Sequence, residues 1–310
     1  MTTLLLTHPA CEAHDPGSHH PEHPGRLRAV VERLRQDFPA LSWQEAPLAQ
    51  NEHLAAAHSD ALIETLARIA PESGSVGVDA DTVMSPASLT AARAAAGAVV
   101  AGVDAVVTGA HPNVFCAVRP PGHHAERDQA MGFCLFNSVA VGALHALNHH
   151  GLKRVAVADF DVHHGNGTQD IFAADPRVMF LSTHQMPLYP GTGGRDQTGV
   201  GNIVNVPLLS GSGGETFRDA VQRHWLPALA EFKPELLIVS AGFDAHRDDP
   251  LAGLKLTVDD YAWVTRELLA VADRHCAGRL VSSLEGGYNT QALADSVSAH
   301  VGALSAPISA

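Results

Sequence analysis

Residues able to bind a metal or move a proton recur at the ends of short apolar runs in this chain. After Val155–Ala158 comes Asp159-Phe160-Asp161-Val162-His163-His164-Gly165. If the strand persists to about Asp161, residues 159, 161 and 163 project to one side, because strand side chains alternate. Asp161 and His163, joined by the carboxylate of Asp244 from another run, make an oxygen–nitrogen–oxygen set for a divalent ion. Three protein ligands leave positions open for water and a carbonyl oxygen, as a catalytic zinc site requires. The two carboxylates make the set harder than the usual histidine-rich zinc sites, so Fe2+ or Co2+ would also suit it.

Two further motifs supply the partners such an ion needs. His123-His124 follow Arg119-Pro120-Pro121-Gly122, a turn that pins their backbone. A histidine beside activated water can take its proton and hand it to a leaving amine. Tyr288 follows Gly286-Gly287, where a phenol can donate a hydrogen bond to the oxyanion formed when water attacks an amide. By contrast, His149-His150 lies at a helix end and reads as surface.

These residues need a scaffold that gathers strand ends. Apolar, β-branched runs predict strands at Leu4–Thr7, Val114–Val118, Val155–Ala158, Val178–Leu181, Ile203–Val206, Leu236–Val239 and Leu280–Leu284. Amphipathic or Ala-rich stretches between them, such as Ser138–His149, Glu215–Phe232 and Val258–His275, predict helices. The alternation implies an α/β fold, a single domain over 1–310 with an open parallel sheet of about eight strands and helices on both faces. The motifs then share the carboxyl edge of the sheet, where such folds bind ligands.

Composition narrows the function classes. The net charge is -13, with no run of Lys or Arg, which disfavours nucleic acid and anionic membranes as partners. The Ala-rich segment from Ala87 to Ala110 is interrupted by Arg93 and Asp104, so no membrane span is expected. The first Arg is Arg26, which argues against a secretory signal. Cys11, Cys116, Cys134 and Cys276 lie far apart and read as buried thiols of a cytoplasmic protein.

The ordered motifs resemble those of the histone deacetylase family over nearly the whole chain. They are His20-Pro21-Glu22-His23-Pro24-Gly25-Arg26-Leu27, Arg119–His124, Met131–Ser138, Asp159–Gln169, Ser240–His246 and Glu285–Asn289. Gly165-Asn166-Gly167-Thr168-Gln169 is similar to the class II branch, which includes bacterial deacetylase-like amidohydrolases and acetylpolyamine amidohydrolases.

The resemblance implies an arginase/deacetylase-like fold and zinc held by Asp161, His163 and Asp244. His124 would be general base and acid, facing Asn166 where the class I branch has Asp. His123, paired with Asp159, would orient and stabilise charge, and Tyr288 would be the transition-state tyrosine. It also implies K+ near the zinc, held by Asp159, Ser182, Thr183 and the backbone of Asp161 and His163. A second K+ site would lie near Phe172, Asp175 and Val178.

For the substrate, Phe133 and Tyr189 would wall a narrow acyl channel beside Gly132 and Gly287, with Asp81 holding the substrate backbone. Tyr189 is a departure, since Phe is commoner at the second wall. Leu251 stands where a polyamine-specialised branch has Glu, which favours an acylated lysine peptide or protein over an acetylated small amine. Hydrolysis of the N-acyl amide, releasing acetate and free amine, is therefore the expected reaction. The rival readings are an acetylpolyamine amidohydrolase, an arginase-like ureohydrolase and a non-enzymatic acyl-lysine binder. A homo-oligomer is left open.

Overall fold

The computed structural model describes residues 2–306. Its centre is an eight-stranded parallel sheet in the order β2-β1-β5-β10-β9-β6-β7-β8. The strands are β1 (Leu4–Thr7), β2 (Ser42–Glu45), β5 (Asn113–Cys116), β6 (Val155–Asp159), β7 (Val178–Gln185), β8 (Ile203–Leu208), β9 (Leu236–Ala241) and β10 (Leu280–Leu284). All seven strands expected from apolar runs are present. The eighth, β2, is an edge strand carrying Ser42, Gln44 and Glu45 exposed. Its polar sequence blunts the edge against further pairing and removes the apolar signal that would have revealed it. A two-residue antiparallel pair, β3 (Val76–Gly77) and β4 (Val83–Met84), lies outside the sheet.

Helices cover both faces. A Cβ added at Gly102 of α5 (Ser88–Val107) would meet Val281 and Val114, whereas the next residue along β10, Ser282, bonds His300 of α11 (Thr290–Ser305). Adjacent strand residues point oppositely, so α5 and α11 lie on opposite faces. The former shares its layer with α6 (Ser138–Asn148), and the latter packs against α2 (Gly25–Asp37) and α10 (Val258–His275). Helix α5 is long and apolar enough to cross a membrane, but 67% of its most apolar window is buried, which marks a core helix.

The helix expected over Glu215–Phe232 is divided. It runs as α8 (Gly214–Ala220), a π-helical turn (Val221–Trp225) and α9 (Leu226–Phe232). Pro227, at the start of α9, has no N–H for the regular ladder. The wider turn, closed by Leu226 N–H to the Val221 carbonyl, accommodates it.

The chain passes from β5 to β6 across a gap later filled by β9 and β10. The segments after β5, β6, β9 and β10 therefore meet at one carboxyl edge.

Candidate active site

The strand β6 ends at Asp159, two residues short of the extension expected to align 159, 161 and 163. Carboxylates turn the chain instead. Asp159 Oδ1 accepts the N–H of Asp161 at 3.0 Å, and Asp161 Oδ1 accepts that of His163 at 2.9 Å. These successive Asx-type turns coil the segment and still bring Asp161 and His163 together.

Asp244, after β9, completes the set. One atom from each of Asp161, His163 and Asp244 lies within 4.8 Å of the others, and all three residues are buried. His163 Nδ1 is 3.1 Å from both Asp161 Oδ1 and Asp244 Oδ2. The remaining carboxylate oxygens are held by backbone N–H groups: Asp161 Oδ2 by Gly286 at 2.9 Å and Asp244 Oδ1 by Val162 at 2.8 Å. Each carboxylate thus has one oxygen fixed and one turned towards His163.

Glycine is required where the chain closes over these acids. A Cβ at Gly242 would lie 2.0 Å from Asp161 Oδ2, and one at Gly286 would lie 2.1 Å from Asp244 Oδ2. Burial disfavours a charge on His163, but its two carboxylate contacts outweigh this and raise it to about 10. The same negative oxygens would stabilise a divalent cation, and the donor set fits one.

His123 and His124 have different surroundings. His123 Nδ1 lies 3.0 Å from Asp159 Oδ2. Burial opposes its charge, but Asp161 and Asp159 raise it to about 10, making it a held cation. The backbone N–H groups of Gly122 and His123 donate to Glu285 at 2.6 and 3.2 Å.

His124 Nδ1 lies 2.7 Å from Asn166 Oδ1. Burial and the neighbouring His123 and His163 charges hold it well below its ordinary value. Asn166 Oδ1 can only accept, so Nδ1 carries the proton and Nε2 keeps the lone pair. His164 turns away, bonding Thr192 and Gln169 at 2.8 and 3.0 Å.

Tyr288 lies within electrostatic reach of Asp244 and Asp161. Burial pushes its phenol well above its ordinary value, so it remains a donor. Arg26 packs over the ring with Cζ 4.9 Å from its centre, and the Phe133 ring meets it edge-on at 5.9 Å. Its backbone N–H is fixed by Asp249 Oδ2 at 2.7 Å.

Of the residues expected to line a channel, Gly132 and Tyr189 lie against His124, and Phe133 lies against Tyr288. Gly132 has φ 58°, and a Cβ there would meet His124 Cδ2 at 2.6 Å. Phe133 also has a positive φ of 69°, an uncommon conformation for a residue with a side chain. Its N–H donates to Thr82 Oγ1 at 3.0 Å. Tyr189 is partly exposed, with its ring 5.0 Å from that of His124. Gly287 gives its carbonyl to Arg26 Nε at 2.5 Å. Leu251 is exposed, and its N–H is tied to Asp249 Oδ1 at 2.9 Å. Asp81 gives its backbone carbonyl to His20 Nε2 at 2.9 Å, and the His20 ring contacts Phe133.

The cation expectations divide. Asp159 pairs in register with Ser182 across β6 and β7. Ser182 and Thr183 are strand neighbours with opposite side-chain directions, so both hydroxyls cannot face one ion near Asp159. An ion there would meet one of the two residues only through its backbone carbonyl. The second K+ site is corrected: the carbonyls of Phe172, Asp175 and Val178 accept Asn202 Nδ2 at 2.8, 3.0 and 2.8 Å. Asn202 Oδ1 accepts from Val200 at 3.1 Å, which fixes this orientation. An amide occupies the position expected for the cation.

Several supporting residues were not singled out from sequence. Buried Glu22 bonds Arg26 at 2.7 Å and Arg119 at 2.5 Å, and Arg26 also reaches the carbonyl of Glu285 at 2.6 Å. Glu126 accepts Asn166 Nδ2 at 2.7 Å. Glu22, Arg26 and Arg119 lie within recognisable motifs, but their types alone suggest surface charges.

Comparison with known proteins bears on the same residues. The profile described as Histone deacetylase domain matches residues 20–304. The chain is 43% identical over 290 residues to an uncharacterized protein of Synechocystis sp., covering 92% of this chain and 93% of that one. It is 41% identical over 275 residues to the histone deacetylase-like amidohydrolase of Pseudomonas aeruginosa, covering 87% and 72% respectively. The solved HDA15 HD domain matches with TM-score 0.91 at 35% identity, covering 98% of this chain and 88% of that chain. With a full set of motifs on one sheet edge and a match over nearly its whole length, this chain belongs to the histone deacetylase family of hydrolases.

Proposed function

We propose that the chain is a zinc-dependent deacylase that hydrolyses the N-acetyl (or other short acyl) amide of lysine in peptides or proteins. The observation that carries this reading is the convergence of Asp161, His163 and Asp244 within 4.8 Å, all buried, beside a neutral histidine and a protonated tyrosine. When bound by these three residues, zinc supplies Lewis acidity towards the amide carbonyl and towards water.

The chain's own groups handle the protons. His124 takes the proton of the attacking water at Nε2, while Asn166 holds Nδ1. The Tyr288 phenol donates to the developing oxyanion, and the His123 cation adds positive charge nearby. His124 then gives its proton to the amine nitrogen, releasing acetate. Asp159, the hydroxyl or carbonyl of Ser182 and Thr183, and the backbone of Asp161 and His163 would hold K+ beneath the site.

The rim favours acyl-lysine over a polyamine. Leu251 presents an apolar side chain, and both oxygens of neighbouring Asp249 already accept backbone N–H groups, leaving fewer free acceptor positions for a second amine. Phe133 and Tyr189 would flank the acyl-lysine stem, with Asp81 bonding the substrate backbone. A ureohydrolase reading gains no support at Asn166, whose amide faces His124 and supplies no bridging carboxylate. The four free, buried cysteines suit a reducing compartment such as the cytoplasm.

The test compares acetate release from an acetyl-lysine peptide and from N-acetylputrescine. Expected are faster turnover of the peptide, loss on chelation, recovery with zinc, and loss in His124→Ala. Full activity under strong chelation, or no acetate from any acylated amine, would refute the proposal.

A further inference from the structure

Helix α6 begins beside the active edge and ends at the opposite edge of the sheet, where its His145 meets His149 and His150 from the turn that follows. Its eleven residues span about 16 Å, so this end is well removed from Asp161. His145 and His149, one turn apart, stack with ring centres 4.8 Å apart and planes at 10°. His150 meets both edge-on, at 5.2 and 4.9 Å. Asp104, from α5, places Oδ1 2.7 Å from Nε2 of both His145 and His150. His53, from α3 (Asn51–Ala57), lies edge-on to His145 at 5.2 Å.

These contacts form more than a solvated helix end. One ring nitrogen from each of His145, His149 and His150 lies within 4.8 Å of the others. The side chains of His145 and His150 are only 7% and 15% exposed, whereas His149 is open to solvent. A ligand set is thus partly fixed and still reachable, beside a surface pocket of about 290 Å³ lined by Glu52, His53, His145, Asn148 and His149. The position favours positive charge, because the C-terminal end of a helix presents its last carbonyls.

We propose that His145, His149 and His150 form a second metal site for a late first-row divalent ion, zinc, nickel or copper, with Asp104 orienting two of the rings. Three imidazole donors select these ions over magnesium or calcium. A carboxylate bonded to the ring nitrogens of metal-binding histidines sets their orientation and strengthens binding. The ion ties the end of α6 to its following turn, with Asp104 linking the cluster to α5. This site is independent of the catalytic reading.

Zinc uptake by the untagged chain, measured by elemental analysis after equilibrium dialysis, tests it. Wild type takes up two equivalents, and His149→Ala/His150→Ala takes up one with unchanged deacylase turnover. Asp161→Asn/Asp244→Asn retains uptake at this second site, and Cu2+ added to that variant gives imidazole nitrogen couplings in its EPR spectrum. Asp104→Asn weakens the second equivalent on the order of 10- to 100-fold. His19→Ala/His20→Ala leaves the uptake unchanged, separating the cluster from the N-terminal histidines. Equal uptake by wild type and His149→Ala/His150→Ala, or no imidazole couplings, would overturn the proposal. Failure to release acetate would leave these measurements intact.

Discussion

Asn166 presents Oδ1 to Nδ1 of His124 at 2.7 Å. The opposite end of the amide is anchored because Nδ2 donates to Glu126 at 2.7 Å. Removing that acceptor frees the amide to turn its nitrogen towards His124, where it cannot accept the Nδ1 proton. Glu126→Ala should therefore lower kcat roughly 10- to 100-fold, the scale of a misplaced catalytic group, with KM and zinc content unchanged. Glu126→Gln retains an acceptor and should recover most of the activity. A proportional rise in KM, or no recovery in Glu126→Gln, would place Glu126 in a merely structural role.

Tyr288 is held by Arg26 packing over its ring and by Asp249 on its backbone N–H, so loss of its hydroxyl should leave the loop in place. Tyr288→Phe should retain zinc and lose about 10²–10³ in kcat, as expected for one oxyanion donor. Near-normal turnover in the zinc-loaded variant would exclude the phenol from the reaction.

The legible parts of the sequence were those where polarity changed abruptly. Runs such as Val155–Ala158 and Leu236–Val239 marked strands, and the acids and histidines after them marked the active edge. Edge strand β2 escaped because Ser42, Gln44 and Glu45 are exposed, leaving no apolar run. Glu22, Arg26 and Arg119 escaped for another reason: charges normally lie outside, and only the folded chain brings the three together in the interior. Strand continuation, which the apolar run implies, gives the wrong backbone over Asp159–His163, since Asx-type turns bring Asp161 and His163 together. Asn202 lay beyond reach, because its contacts with three carbonyls depend on two loops meeting at the start of β7.

The two glycines over the carboxylates give a prediction that separates metal retention from chemistry. A methyl group at Gly286 would lie 2.1 Å from Asp244 Oδ2 and 2.6 Å from Asp161 Oδ2, so one acid or the closing loop must move. Gly286→Ala should lose zinc and activity together. Excess zinc should restore both partly, which it cannot do in Tyr288→Phe. Full zinc occupancy with normal turnover would show that the loop yields without disturbing the acids.

Buried His300 gives a stability prediction remote from the reaction. Its ring lies between Thr265 Oγ1 of α10 at 2.6 Å and Ser282 Oγ of β10 at 2.8 Å, with Phe115, Phe160 and Phe243 around it. None of these neighbours carries charge. Burial alone lowers it from 6.5 to about 3. The unfolded chain therefore takes up the proton first as pH falls. The contribution of neutral His300 is complete above about 6.5, declines below it, and is lost by about 3. His300→Gln should destabilise most at neutral pH. Between pH 7.5 and 4.5 its deficit relative to wild type should shrink by roughly 3 kcal/mol, from about two units of proton linkage. Urea denaturation of both proteins across that range measures the difference, in which groups common to both cancel. A deficit that stays constant with pH would show that His300 is not held neutral by burial.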